Sequence, residues 1–358
     1  MKNKKINNLI AVSLFILVII SVIIYFLTRN DSKDKTNGTG SSEISNDLKR
    51  ELKNSINQVF TTIAMTPDKS RLAILLESGF EVYDITSDYE LRKITTGVDL
   101  ENTFTSLRFN DLQISDDSEK ILIAGNKEFQ VFTFNGTEWQ VDVINELDRR
   151  ENGGLALSPN GLIYCANGKN SVSMEINCTV IGNASRFRNN ILLENEAGEL
   201  NSASNSFSKL ALNKDNNRLA YTSLPTSEIY LFSPDPNDSN SWSTNILKIG
   251  GIGPREITFS PDGKYLGVLW NKYCSVYNVE EKNRSYEVFS KAYNSTLSNI
   301  DMSNEVIAFS TSDNLTVRNN FKNDKSINID GFYETQMSAD DSVLVLGETN
   351  QNKIEIYA

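Results

Sequence analysis

The side chains able to do chemistry in this sequence are restricted first by an absence. No histidine occurs among the 358 residues, which removes imidazole acid–base catalysis, Ser-His-Asp and Cys-His nucleophile systems, and most transition-metal sites. The three cysteines, Cys165, Cys178 and Cys274, fit no zinc spacing. What remains is carboxylate and cationic chemistry. Asp111, Glu256 and Glu334 are the candidates for a paired-carboxylate reaction of glycosidase or lyase type, in which one carboxyl serves as acid and another as base or nucleophile. Asp235-Pro-Asn-Asp-Ser-Asn-Ser is rich in oxygen ligands but lacks the sixth-position Gly and twelfth-position Glu of a calcium loop, so it reads as a solvated connection. No cofactor is expected.

Charge narrows the partners. The formal net charge is −11, yet residues 1–35 hold six Lys/Arg against two Asp, so the remainder carries −15. Phosphates would be repelled by such a body, which argues against nucleic acid.

The elements that must position these groups come from a repeat. Its best copy, Arg255 to Val279, reads as strand, Ser-Pro-Asp-Gly turn, strand, short loop, strand. Pro261 pre-sets φ, Asp262 can bond its own backbone, and Gly263 closes the turn at no steric cost. Aligning on Ser260 gives seven equivalent anchors: Thr66, Ser115, Ser158, Asn213, Ser260, Ser303 and Ser338. One residue before each stands Met65, Ile114, Leu157, Leu212, Phe259, Met302 or Met337. Two before lies a small or polar column: Ala64, Gln113, Ala156, Ala211, Thr258, Asp301 and Gln336. Three before, every copy but the last (Thr335) is apolar again. Period-2 alternation kept in seven copies of about 43 residues specifies short β-strands, and no copy is large enough to bury its own faces alone.

On the apolar-x-small-apolar-Ser-Pro-Asp-Gly run, and on third strands ending Tyr83-Asp84 and Tyr277-Asn278, residues 58–358 resemble the WD40-like β-propeller superfamily. The chain departs from it in having neither a Gly-His nor a Trp-Asp dipeptide at the repeat positions, so the His–Asp network of typical blades is missing. The expected fold is all-β: seven four-stranded blades over residues 48–358. Because the chain stops directly after a third strand, something near residues 48–58 should supply the outer strand of the last blade. Leu48, Leu52, Ile56 and Phe60 recur every four residues and could equally form a short helix; blade closure favours the strand.

Before the repeats, residues 1–8 are a short basic tail. Residues 9–28 form a nearly all-apolar, uncharged stretch long enough to span a bilayer of about 30 Å as one helix. No small-x-small cleavage site follows, so an uncleaved signal anchor is expected. Residues 29–47 are a flexible polar linker. Lysines flank the span about equally, and the short tail places the N-terminus in the cytoplasm, with the propeller outside it or in a lumen.

In repeat register, Cys165 falls in the small column of a second strand and Cys274 at the start of a third. Both read as small buried hydrophobes. A Cys165–Cys178 disulfide between neighbouring strands of one blade is geometrically conceivable, and an extracytoplasmic site would permit it.

Loops before first strands lie on a rim where propellers commonly bind. Asp111, Arg149, Arg150, Arg186, Arg188, Lys209, Arg255, Glu256 and Glu334 are expected to cluster there, competing with a reading as ordinary solvated charge. A mixed-charge rim suits a protein partner. The function expected is a membrane-tethered propeller that binds proteins as a scaffold or assembly module. The alternatives are a carboxylate-dependent enzyme and a sensor of a small ligand or glycan in the central channel.

Overall fold

A computed structural model describes residues 51–95, 100, 109–125, 128–146, 155–169, 174–181, 191–193, 209–215, 217–223, 228–234, 242–248, 254–279, 286–293, 296–311, 314–319, 326–330, 334–348 and 350–358. The tail, the apolar stretch 9–28 and the linker lie outside the described residues, as does the 235–241 connection. Among the described residues no helix is long and apolar enough to cross a membrane.

The described residues form 28 strands, numbered β1 to β28 along the chain, in seven four-stranded antiparallel sheets. The innermost strands of blades one to seven are β2 (Thr62–Met65), β6 (Phe109–Ile114), β10 (Leu155–Leu157), β14 (Leu210–Leu212), β18 (Pro254–Phe259), β22 (Leu297–Met302) and β26 (Glu334–Met337). Each neighbours the next, and β26 neighbours β2, so the inner strands close a ring.

The apolar columns explain why the sheets stack. Every seam between adjacent blades holds one buried cluster, seven in all. Ile63 and Met65 face back onto Val343, Val345, Ile354 and Ile356 of blade seven, while Ala64 and Ala73 face forward onto Leu112, Ile121 and Ile123 of blade two. Alternate residues of one strand thus serve opposite seams, as the pleat requires. Small residues in the forward column let the blades approach. A Cβ on Gly267 would sit 2.8 Å from Met302 Sδ and 3.1 Å from Ile300 Cδ1 of the next blade.

The seven anchor residues are turn clasps. All are buried, from Thr66 at 0% exposed to Asn213 at 3%. In five blades the anchor hydroxyl donates to the side chain two residues on, as Ser260 Oγ does to Asp262 Oδ1 at 2.6 Å. It also accepts the backbone N–H opening the second strand, Tyr265 N at 3.0 Å in blade five. Asn213 does the same work with its amide, accepting from Arg218 N at 2.8 Å. Three residues after the anchor the backbone turns left-handed: Lys69, Ser118, Gly161, Gly263 and Asp341 have φ between 57° and 72°. Glycine occupies that position in the Ser-Pro-Asx-Gly blades because it adopts this φ without strain.

Blade seven is completed by β1 (Leu52–Asn57), which lies antiparallel to β28 (Lys353–Tyr357) and pairs Ile56 with Ile354. The segment is a strand, and its every-four spacing is not helical.

In blade three Cys165 is buried, and of the two readings open for it the structure shows the disulfide with Cys178, across directly opposed positions of β11 (Ile163–Lys169) and β12 (Met174–Val180), with Cα atoms 4.1 Å apart. The pleat puts opposed side chains on one face, and both sulfurs lie in the same seam cluster. Cys274 is free and buried, as expected, and burial pushes its thiol pKa up against the pull of Arg318.

Candidate functional site

Four of the nine expected rim residues are brought together, but on the inner strands and not in loops. Asp111, Glu256 and Glu334 lie on β6, β18 and β26, and Lys209 directly precedes β14. In each case the residue stands four positions before its anchor. A bulge just before it shifts the register in blades two and five, between Phe109 and Asp111 and between Pro254 and Glu256. Such an extra residue bends the strand and re-aims the side chain that follows. In blade five the extra residue is Arg255, which is exposed while Glu256 is half-buried. The two neighbours in sequence therefore serve different surroundings. Arg149, Arg150, Arg186 and Arg188 lie outside the described residues.

Lys209 Nζ approaches Glu256 Oε1 at 3.4 Å, with 41% and 27% of the two side chains open to solvent. They line the inner face of the ring: enclosed by blades, yet reached by water. Glu256 raises the Lys209 pKa, burial opposes this, and Asp111 and Glu334 raise it further. Burial pushes Glu256 upward, Lys209 pulls it down, and Asp111 adds to the rise. These tendencies compete over one proton, and the short contact with water access favours the ion pair. Glu334 is pushed up to about 7 by burial, against hydrogen bonds from Thr62 and Ile63, with Glu256 and Asp111 contributing. Asp301 is likewise pushed up to about 7 by burial, against the N–H groups of Met337 and Met302, with Glu256 contributing.

The hydrogen bonds show what these side chains do. In the column four before the anchor, Glu334 Oε2 accepts from Ile63 N at 3.1 Å, and Asn299 Oδ1 from Thr335 N at 3.1 Å. In the column two before it, Gln113 Oε1 accepts from Leu157 N at 2.7 Å, Asp301 Oδ2 from Met337 N at 2.6 Å, and Gln336 Oε1 from Met65 N at 3.0 Å. Every one of these bonds runs from a polar side chain to the inner-strand backbone of the following blade. The inner strands of adjacent blades form no common sheet, so their outward N–H groups need such acceptors. The polar columns are interblade staples.

The seam roles of Gln113, Asp301 and Gln336 have a signal in the sequence, the polar half of the column two before the anchor, which reads as tolerance of small or polar residues until the neighbouring backbone is seen. Asn299, in the column four before, carries no such signal. Chemically, the axial group can hold charge and exchange protons. Among the described residues no set of three or more His, Cys, Asp or Glu could hold a metal.

No family model and no curated protein matches this sequence. Solved structures do resemble the fold. The β-propeller domain of Cps50 (Swd1) from Myceliophteria thermophila aligns at 11% identity with a TM-score of 0.64, covering 86% of this chain and 99% of that one. A chain of the mitotic checkpoint complex aligns at 12% identity with a TM-score of 0.59, covering 90% of this chain and 97% of that one. With the closed ring of seven sheets, they establish that this chain folds as a β-propeller.

Proposed function

We propose that this chain is a membrane-tethered, WD40-like β-propeller that binds protein partners as a scaffold or assembly module. The observation that carries the reading is the use of the axial polar groups. Glu256 and Glu334, the carboxylates an enzyme would need, are engaged with Lys209 and with the backbone of the next blade. Their chemistry is spent on holding the ring together, which favours a rigid binding platform over a catalyst. A neighbour drawn from a multiprotein complex is in keeping with this. The tether rests on the apolar residues 9–28 of the sequence alone. A placement of the propeller outside the cytoplasm draws support from the Cys165–Cys178 disulfide, since such bonds persist in oxidising compartments. Arg255, exposed at the bulge that opens the inner strand of blade five, is the described residue we assign to contact with a partner.

Crosslinking and pull-down of the full chain from its native membrane is the direct test. Recovery of specific proteins, reduced by Arg255→Glu, supports the reading. Recovery of none, together with hydrolysis of a glycan that is lost in Glu334→Gln, would favour the carboxylate enzyme. Protease added to intact cells should digest the propeller, and full protection would reverse the orientation.

A further inference from the structure

The staples come in two chemical kinds that do one mechanical job. Asn299 and Glu334 occupy the same column and accept the equivalent N–H of the following blade, Thr335 N and Ile63 N. Gln113, Gln336 and Asp301 likewise share a column and accept from Leu157 N, Met65 N and Met337 N. A neutral amide therefore suffices to close a seam. Where a carboxyl stands instead, the bond gains nothing in geometry but becomes able to titrate.

The carboxyls are not scattered. Asp301 bridges blade six to seven and Glu334 seven to one, while Glu256 is paired with Lys209. The described staple between blades two and three is the amide of Gln113. We propose that the two consecutive seams from blade six round to blade one form a proton-sensitive closure, in which proton uptake by the stapling carboxyls tightens the ring and proton loss loosens it.

Among the groups facing these carboxyls, the N–H and hydroxyl donors favour the ionised form, and burial with the neighbouring carboxyls outweighs them. Glu334 meets the Thr62 hydroxyl and Ile63 N–H on β2, Asp111 on β6 and Glu256 on β18. Lys209 also acts on it from ahead of β14. Asp301 meets Met337 N–H on β26, its own neighbour Met302 N–H, and Glu256. Lys209 is the cation named among four carboxyls, and like charges enclosed together resist ionising together. Both Asp301 and Glu334 lie near 7, far above an unfolded carboxyl at about 4. Between those two values the folded ring holds protons that the unfolded chain has released. Stability is then fully present below pH of about 4, falls as pH rises, and levels off above about 7.

The test uses the full chain in mild detergent, unfolded with denaturant at intervals from pH 5 to 8.5. The folding constant should fall at least tenfold from pH 5 to 7.5 and then flatten, one full proton being worth about tenfold per pH unit. Glu334→Gln and Asp301→Asn keep the acceptor oxygen and remove the titration. Each should reduce the slope, and the double variant should be nearly flat and more stable than the parent at pH 7.5. Asn299→Asp, in an amide-closed position of the same column, should add slope. In the unaltered protein, amide exchange corrected for its intrinsic pH dependence should show Ile63 and Met337 losing protection as pH rises while Leu157 does not. A flat parent curve, an undiminished slope in the double variant, or equal loss of protection at Leu157, Ile63 and Met337 would overturn the proposal.

Discussion

At the residue scale, this protein depends on single polar atoms placed where no water can replace them. Ser260 accepts Tyr265 N and donates to Asp262 while 2% exposed. Ser260→Ala strands a buried N–H and should cost about 1–3 kcal/mol, read from a denaturant midpoint. Gly267→Ala tests the forward column. Its new methyl meets Met302 Sδ, which can move, and Ile300, which has less room, so a loss of about 1–3 kcal/mol is expected. Asp340 behaves oppositely to the seam carboxyls. Burial would raise it, but Lys69 at 2.8 Å and the Ser338 and Ser342 hydroxyls outweigh burial and hold it well below the usual carboxylate range. A depressed folded pKa gives stability that is present above the unfolded value and is lost as pH falls through the folded one. Asp340→Asn should therefore remove part of the acid limb below about pH 4. Because Asp340 is 58% exposed, the loss at neutral pH should stay within about 1 kcal/mol.

At the element scale, the sequence was readable wherever information was local. The turn clasps announce themselves in Ser-Pro-Asp-Gly, and the inner strands in their alternation. The segment that became β1 was ambiguous because Leu52 and Ile56 fit a helical period as well as a strand. What decided it was the free edge of β28, some 300 positions away in sequence, whose N–H and C=O groups needed a partner. The disulfide was harder still. Spacing alone could not tell two packed cysteines from a bonded pair, and only the register opposing Cys165 to Cys178 settles it. Its 13-residue separation predicts a contribution of about 3 kcal/mol. Replacing both cysteines by alanine should lower stability by about that amount under oxidising conditions, whereas adding a reductant to that variant should change nothing further.

At the scale of the whole molecule, the propeller could be counted from the sequence, but the site could not be placed. Asp111, Lys209, Glu256 and Glu334 were picked out as charges near strand starts. Their common place four before each anchor is legible in the sequence, but that this column faces the inside of the ring depends on blade-to-blade geometry, which leaves no local signature. Seven separate seam cores in place of one central core also make the ring only as strong as its weakest seam. Ile56→Asp, which puts a charge against the core between blades seven and one, should cost about 2 kcal/mol. Amide exchange should rise first in β28 and β2, not uniformly.

The pairing of β1 with β28 also has a mechanical meaning. Glu51 N donates to Ala358 O at 3.0 Å and Ala358 N to Glu51 O at 3.1 Å, so these two residues sit side by side at one end of the ladder. Tension applied between them loads the ladder one rung at a time, from that end inward, like opening a zip. Tension between Glu51 and Lys353, which lies at the other end of the same antiparallel ladder, instead pulls along both strands and loads all the rungs at once. In single-molecule pulling, the first geometry should therefore release β1 at markedly lower force than the second. The clasp that completes the last blade would thus resist a pull along its strands, yet yield readily to anything that draws residue 358 away from Glu51.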